Sequence, residues 1–312
     1  MQLNYNITDG KIKQTNDSNA QIIVFENPDD IEKNIIMNSY SIDEHNMLSA
    51  LDPNEVSRME FEDNYASIIY KKPKNYSSQD EFTFKAFTVG VFYFKERIII
   101  VIGESIILFE DKFFNKVETL SDIILKLLNE AINHFMMHLR VINMITEELE
   151  TKITKAMENK HLLNLFSISK SLVYYLNAIE ANTTIISKMK RNSQKLYFGE
   201  KQDDFLEDIA IENYQCFRQA EIYTTVLGGL MDARGTIVNN NMNVLIKRLT
   251  IINIIFLPIN VIASIGGMSE FSMMTQGLDW QISYALFMAV MALIGLLTYL
   301  FVKRLESKTG SS

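Results

Sequence analysis

The sequence predicts an α+β membrane protein. A cytoplasmic N-terminal α/β domain is followed by a long stalk helix that continues into the first of two C-terminal transmembrane helices. Three observations carry this reading. Residues 249–268 and 282–302 are two consecutive spans without a charged side chain. No proline interrupts residues 203–248, which lead into the first of them. Residues 1–118 instead alternate short β-branched and aromatic runs with turn signals.

In residues 1–118, the apolar run at 21–25 ends at Asn27-Pro28 and reads as a strand, and residues 29–50 read as helical. Residues 65–70, 82–89, 91–94, 98–102 and 105–109 read as further strands. Lys72-Pro73, Lys95-Glu96-Arg97 and Gly103 supply the turns between them. Residues 119–202 read as an antiparallel helical pair. Leu120, Ile123, Ile124, Leu127 and Leu128 begin an amphipathic helix that continues through Ile145, Leu149 and Ile153. A break near residues 159–161 precedes a returning helix over 162–189, and a second reversal falls at 192–200.

The stalk, residues 203–248, repeats Leu206, Ile209, Phe217, Ala220, Tyr223, Leu227, Leu230 and Met231 on a helical rhythm. Asp203 and Asp204 place acids in its first turn, where the helix dipole favours them. A single helix of about 65 residues running on into the membrane would approach about 100 Å. Gly228, Gly229 and Gly235 in its middle read either as close-packing sites or as a flexible point.

The first span holds about 20 residues, enough at about 1.5 Å each to cross a hydrocarbon layer of about 30 Å. Lys247 and Arg248 precede it, and Lys303, Arg304 and Lys308 follow the second span. The loop at 269–281 carries Glu270 and Asp279 but no Lys or Arg. Positive-inside bias then places both termini, including the tail at 303–312, in the cytoplasm and the loop outside. The expected setting is a bacterial inner (plasma) membrane, with the loop periplasmic. Trp280 sits at the outer interface, and residues 1–19 lack the apolar run of a signal peptide.

The first span carries polar groups that lipid cannot satisfy. Asn243, Ile246, Thr250, Asn253, Leu257, Asn260, Ser264 and Gly267 step by three and four, which draws one stripe along one helix face. One hairpin cannot enclose a pore, so the stripe reads as one stave of a ring of identical helices around a water path. The alternative use of the same residues is hydrogen bonding that glues a bundle together. Neutral oxygens suit a cation that keeps its water shell, as Mg2+ tends to. Pro258 removes one backbone donor mid-span and predicts a local kink or wider turn. The second span, apolar apart from Ser283, Tyr284, Thr298 and Tyr299, reads as the lipid-facing outer helix, with Gly295 available for close packing.

Other chemistry finds little footing. A net charge of −8 without a basic stripe argues against nucleic acid. The single cysteine, Cys216, excludes an internal disulfide and reads as a small helical residue. His134-Phe-Met-Met-His138 lacks the adjacent glutamate of a zinc-protease helix and reads as a surface or interface pair. The sequence contains no phosphate-binding Gly-Lys-Ser/Thr loop and no Gly-x-Ser-x-Gly elbow, so a non-enzymatic protein is expected.

The order of parts resembles the CorA-type magnesium transporter family over most of the chain. Asn243-Val-Leu-Ile-Lys247-Arg-Leu-Thr250 is similar to the family's Asn-Glu-Val-Met-Lys-Val-Leu-Thr entry to the first span, and Phe256-Leu-Pro258 to its Phe-Met/Leu-Pro. Gly267-Met268-Ser269 stands where the signature Gly-Met-Asn belongs. Ala50-Leu-Asp52-Pro53 and Glu62-Asp63-Asn64-Tyr65 resemble stretches of its soluble domain.

The resemblance implies a homopentamer with a funnel-shaped cytoplasmic assembly and a central pore lined by the first span. Gly267, Met268 and Ser269 would then form the outer mouth. Asn260 and Ser264 would lie just inside, Leu257 at an apolar constriction and Asn243 towards the cytoplasmic end. Family members are closed by divalent ions held between cytoplasmic domains. Asp208 matches one such position, the bland alternative being an exposed helix acid. Ser269 offers one short hydroxyl where asparagine offers a longer carboxamide, so its ring would be wider and grip a hydrated ion less. Magnesium is the expected cargo and a candidate regulator, with zinc, cobalt or nickel as alternative cargoes. A non-conducting membrane scaffold or sensor is the alternative of another class.

Overall fold

A computed structural model describes the chain except residues 18, 78–79, 107, 110–111, 156–158 and 310–312. Two compact units emerge, Met1–Met231 and Asp232–Ser312.

The first unit is built on a seven-stranded sheet. Its strands are β1 (Gln2–Thr8), β2 (Lys11–Thr15), β3 (Ile22–Glu26), β4 (Arg58–Phe61), β5 (Tyr65–Pro73), β6 (Ala86–Phe94) and β7 (Ile98–Ile102). They lie in the order β2-β1-β3-β7-β6-β5-β4, with β3 and β7 parallel and every other pair antiparallel. The alternation of strand side chains explains why both faces are dry. Ile22, Val24, Ile98, Ile100 and Ile102 face one core, while Ile23, Phe25, Ile99 and Val101 face the other.

Two short helices, α1 (Asp30–Ser39) and α2 (Glu44–Leu51), cover the second face. Asp29 and Glu32 form a capping box that starts α1, and Asp43 caps α2. The single helical stretch expected over 29–50 is therefore split, with Ser41 at φ 52° between the two caps. At Gly90 of β6 a Cβ would sit 2.3 Å from the Cβ of Ala50, so the absent side chain is what lets α2 lie on the sheet.

The opposite face is covered by α3 (Leu120–Lys155), α4 (Asn159–Arg191) and the start of α5 (Glu200–Gly266). α3 ends at Lys155 and α4 begins at Asn159, so residues 159–161, where the break was expected, already belong to the first turn of α4. The later reversal is a 3₁₀ turn at Ser193–Leu196 closed by Tyr197 at φ 55°. Cys216 is buried on α5, and burial pushes its thiol up to about 12.

The sequence reading differs from the structure in four places here. Lys72-Pro73, expected as a turn, instead extends β5, where the two residues pair with Phe87 and Ala86 of β6. The strand expected over 82–89 begins only at Ala86, because Glu81 and Phe82 adopt positive φ and turn the chain. It then runs through Gly90 unbroken to Phe94. Residues 105–109 form no strand among the described residues. Phe109, at φ 71°, packs edge-on against Tyr5 and Phe114 instead. The β1–β2 hairpin and β4 were not expected, although Asp9-Gly10 at φ 54° and 70° is the signature of a two-residue hairpin turn.

The histidine pair is a further correction, since it is not a surface pair. His138 is buried with its Nδ1 2.7 Å from the Tyr175 hydroxyl, and its ring centroid lies 4.4 Å from that of His134. Phe84 and Tyr175 flank His138. Burial lowers both imidazoles to about 4, and for His134 the charges of His138 and Lys72 add to the effect. Both are therefore neutral in the fold at pH 7, whereas an unfolded histidine titrates near 6.5. Their contribution is complete above about pH 6.5 and is lost as pH falls from there towards 4. Allowing for partial solvent access, about 2 kcal/mol per histidine is at stake. Thermal unfolding of the detergent-solubilised chain should show a steep fall in Tm between pH 6.5 and 4. His138→Phe, which cannot gain the charge, should flatten that fall.

In the second unit, α5 continues to Gly266 without interruption at Pro258 and is followed by α6 (Ser269–Met274) and α7 (Trp280–Thr309). The loop expected at 269–281 thus contains a six-residue helix, and the last helix extends beyond residue 302 into the expected tail. α5 and the part of α7 at Trp280–Arg304 are long and apolar enough to cross a membrane. The two helices pack closely where glycines allow it. A Cβ on Gly266 would meet the Phe287 ring at 2.3 Å, and one on Gly295 would meet Ile259 at 3.1 Å.

Candidate ion path

The expected stripe lies on one face of α5. Residues 251, 255, 258, 259, 262 and 266 are the partly covered positions of the span, and Gly266 and Ile259 among them meet α7. At about 100° per residue, this covered face lies about half a turn from the stripe. Thr250, Asn253, Leu257, Asn260 and Ser264 are all exposed within the chain, Leu257 to 66%. Asn253, Leu257, Asn260 and Ser264 line one open groove with Phe256 and Val261. Those two apolar residues were outside the predicted stripe. A three-and-four spacing traces a line, whereas a groove has walls on either side of it.

Hydrogen bonding gives this face a sign. The Thr250 hydroxyl donates to the carbonyl of Ile246 at 2.8 Å, and the Ser264 hydroxyl to that of Asn260 at 2.8 Å. Each has spent its one proton on its own helix, so its free lone pairs can only accept. The carboxamide oxygens of Asn253 and Asn260 add acceptors to the same face. Water bound to a cation turns its protons outward, which matches acceptor oxygens. Apolar rungs at Ile246 and Leu257 interrupt the file.

At the C-terminal end of α5, the Gly267 N–H donates to the carbonyl of Ala263 and that of Met268 to the carbonyl of Ile265, which closes the helix. Met268 is the N-cap residue of α6, and Ser269 its first residue, with the hydroxyl 3.2 Å from a Glu270 carboxylate oxygen. Asn243 and Ile246 continue the stripe at the other end, both with exposed side chains. Asp208 belongs to the first unit, exposed on α5. Among the described residues of the chain, no group of three or more His, Cys, Asp or Glu is placed to hold a metal ion.

A soluble α/β unit and a two-helix apolar unit with one acceptor-lined face, sharing one continuous helix, have the make-up of a two-span membrane transport protein. The family model for CorA-like Mg2+ transporter proteins matches residues 17–304, and the chain belongs to that family. It is 24% identical over 229 residues to the cobalt/magnesium transport protein CorA of Methanocaldococcus jannaschii, covering 70% of each chain. Against the cobalt/magnesium transport protein CorA of Thermotoga maritima it is 26% identical over 178 residues. That match covers 57% of this chain and half of the relative. The complete structure of the M. jannaschii CorA magnesium transporter superposes with a TM-score of 0.77 at 19% identity, covering 97% of this chain and 98% of that one. The shared fold therefore includes both units.

Proposed function

We propose that the chain is one subunit of a homopentameric, channel-like transporter that passes hydrated Mg2+ through the bacterial inner membrane. The observation that carries this is the acceptor face of α5, turned away from α7 and without cover from its own chain. Unsatisfied polar groups are costly in lipid, so such a face calls for water or for copies of itself. Five copies around an axis supply both. Both termini stay cytoplasmic, α7 faces lipid, and residues 269–281 form the periplasmic mouth around Ser269.

The relatives are named for cobalt and magnesium, which favours Mg2+ and makes Co2+ the first alternative cargo. Zn2+ and Ni2+ follow from the weaker grip of a serine ring. Residues 1–118 and 119–202 form the cytoplasmic body and 203–248 the stalk. Asp208 serves as a regulatory ligand, its partners coming from a neighbouring copy.

Mg2+ uptake into proteoliposomes holding the purified chain tests the reading. Uptake should exceed that of protein-free vesicles, and Ser269→Asn should lower the half-saturating Mg2+ concentration about tenfold, the worth of one charge-assisted hydrogen bond. Equal uptake by loaded and empty vesicles would refute the proposal.

A further inference from the structure

The acceptor file is not evenly spread along the span. Leu257, at 66% the most exposed of the groove's apolar residues, divides it. Asn260 and Ser264 lie on the outer side, and Thr250 and Asn253 on the inner side. At about 1.5 Å per residue, Asn253 and Asn260 are about 10 Å apart along the helix, too far to share one ion. Thr250 and Asn253 are about 4.5 Å apart on the same face, close enough to address one hydrated ion together.

Asn253 has no structural employment inside its own chain. It lies on the face opposite α7, exposed, and among the described residues its carboxamide has no hydrogen-bond partner. A carboxamide at membrane depth requires one. Beside it, the Thr250 oxygen is left as a pure acceptor by its bond to Ile246. The pair therefore offers what the waters of a cation need: acceptor oxygens at two heights, immediately beyond an apolar rung. At the mouth, by contrast, the Ser269 oxygen stands one atom from its Cβ and lies against Glu270.

We infer that Thr250 and Asn253 form a cation station of their own on the inner side of Leu257, which holds a hydrated divalent ion by its waters. This station sets the discrimination that a serine mouth leaves weak. The inference rests on the pore reading above and adds a second binding site to it. An ion that has crossed the Leu257 rung meets oxygen again within one turn. An ion on the outer side at Asn260 can then displace it onward, as multi-site conduction requires.

The test is the Mg2+ concentration dependence of uptake by proteoliposomes containing the full chain, with Na+ uptake measured in parallel. Asn253→Leu, close in size but without polar atoms, should raise the half-saturating Mg2+ concentration about tenfold and narrow the preference for Mg2+ over Na+. Asn253→Asp should lower it, because a ring of carboxylates holds a divalent ion more firmly. If Asn253 were only interhelical glue, Asn253→Asp would weaken assembly and leave the half-saturation of any surviving oligomer unchanged or raised, which overturns the inference. Unchanged half-saturation in an assembled Asn253→Leu protein also overturns it, with the pore reading intact. Absence of uptake by the unaltered chain would instead overturn the pore reading. Size-exclusion chromatography of each variant separates loss of assembly from loss of the station.

Discussion

Asn260→Leu is expected to cut Mg2+ uptake at least about a hundredfold while leaving assembly intact. Asn260 lies one turn outside Leu257 on the groove face, and its side chain is not engaged with α7. Leucine there would stack a second apolar ring on the first, and such constrictions close by dewetting. The lost oxygens add to the barrier. Two charge-assisted hydrogen bonds at about 1.5 kcal/mol each already amount to about 3 kcal/mol, or about a hundredfold. Ile252→Leu, exposed on the same helix but off the stripe, is the matching control and should leave uptake unchanged. Initial rates from proteoliposomes, normalised to reconstituted protein, check the pair. Equal rates for Asn260→Leu and the unaltered chain would remove Asn260 from the path.

The second large effect lies in the first unit and concerns stability. The Lys72 ammonium on β5 sits 2.6 and 2.7 Å from the two carboxylate oxygens of Glu130 on α3. The two side chains are only 6% and 16% exposed. Lys72→Met would strand the Glu130 carboxylate in the core beside Tyr70, whose phenol burial already pushes far above its usual range. Breaking such a pair costs about 3–5 kcal/mol, mostly the penalty of the orphaned charge. The double variant Lys72→Met with Glu130→Leu should recover most of that loss, since replacing both partners with apolar groups is often neutral. Thermal unfolding of the detergent-solubilised chain distinguishes these outcomes. Equal loss in the single and double variants would show that packing, rather than the stranded charge, sets the cost.

What could be read from the sequence, and what could not, divides along physical lines. The two membrane helices were legible because an uncharged run of about 20 residues has few other uses. The stripe was legible because helical periodicity is local: its members from Asn243 to Ser264 share the face of α5 opposite α7, and Gly267 lies in the turn just beyond the helix. The helical pair and stalk followed from the same periodicity. The β1–β2 hairpin escaped because its residues are polar and half-buried at a sheet edge, so alternation left no apolar signal. Its turn, Asp9-Gly10, was the one local sign. Residues 82–85 and 105–109 misled because aromatic and β-branched residues serve core packing from loops as readily as from strands.

The long-range polar contacts were out of reach for another reason. Lys72 meets Glu130 across 58 positions, and His138 meets Tyr175 across 37. No local pattern marks such partners. The His134–His138 spacing placed both rings on one side of α3 but could not say whether that side met water or Phe84. Along the stripe of α5, the acceptor-only state of Thr250 and Ser264 likewise depends on rotamers that spacing does not fix.

If α5 lines a path for hydrated divalent cations, metal-resolved uptake into proteoliposomes containing the purified full chain will reveal it, with Mg2+, Co2+, Zn2+, Ni2+ and Na+ offered separately and in competition. Mg2+ entry should be saturable, exceed that of protein-free vesicles, be competed by Co2+ and be little affected by Na+. Entry of no divalent cation above the protein-free level, from a chain shown to be assembled, would contradict such a path.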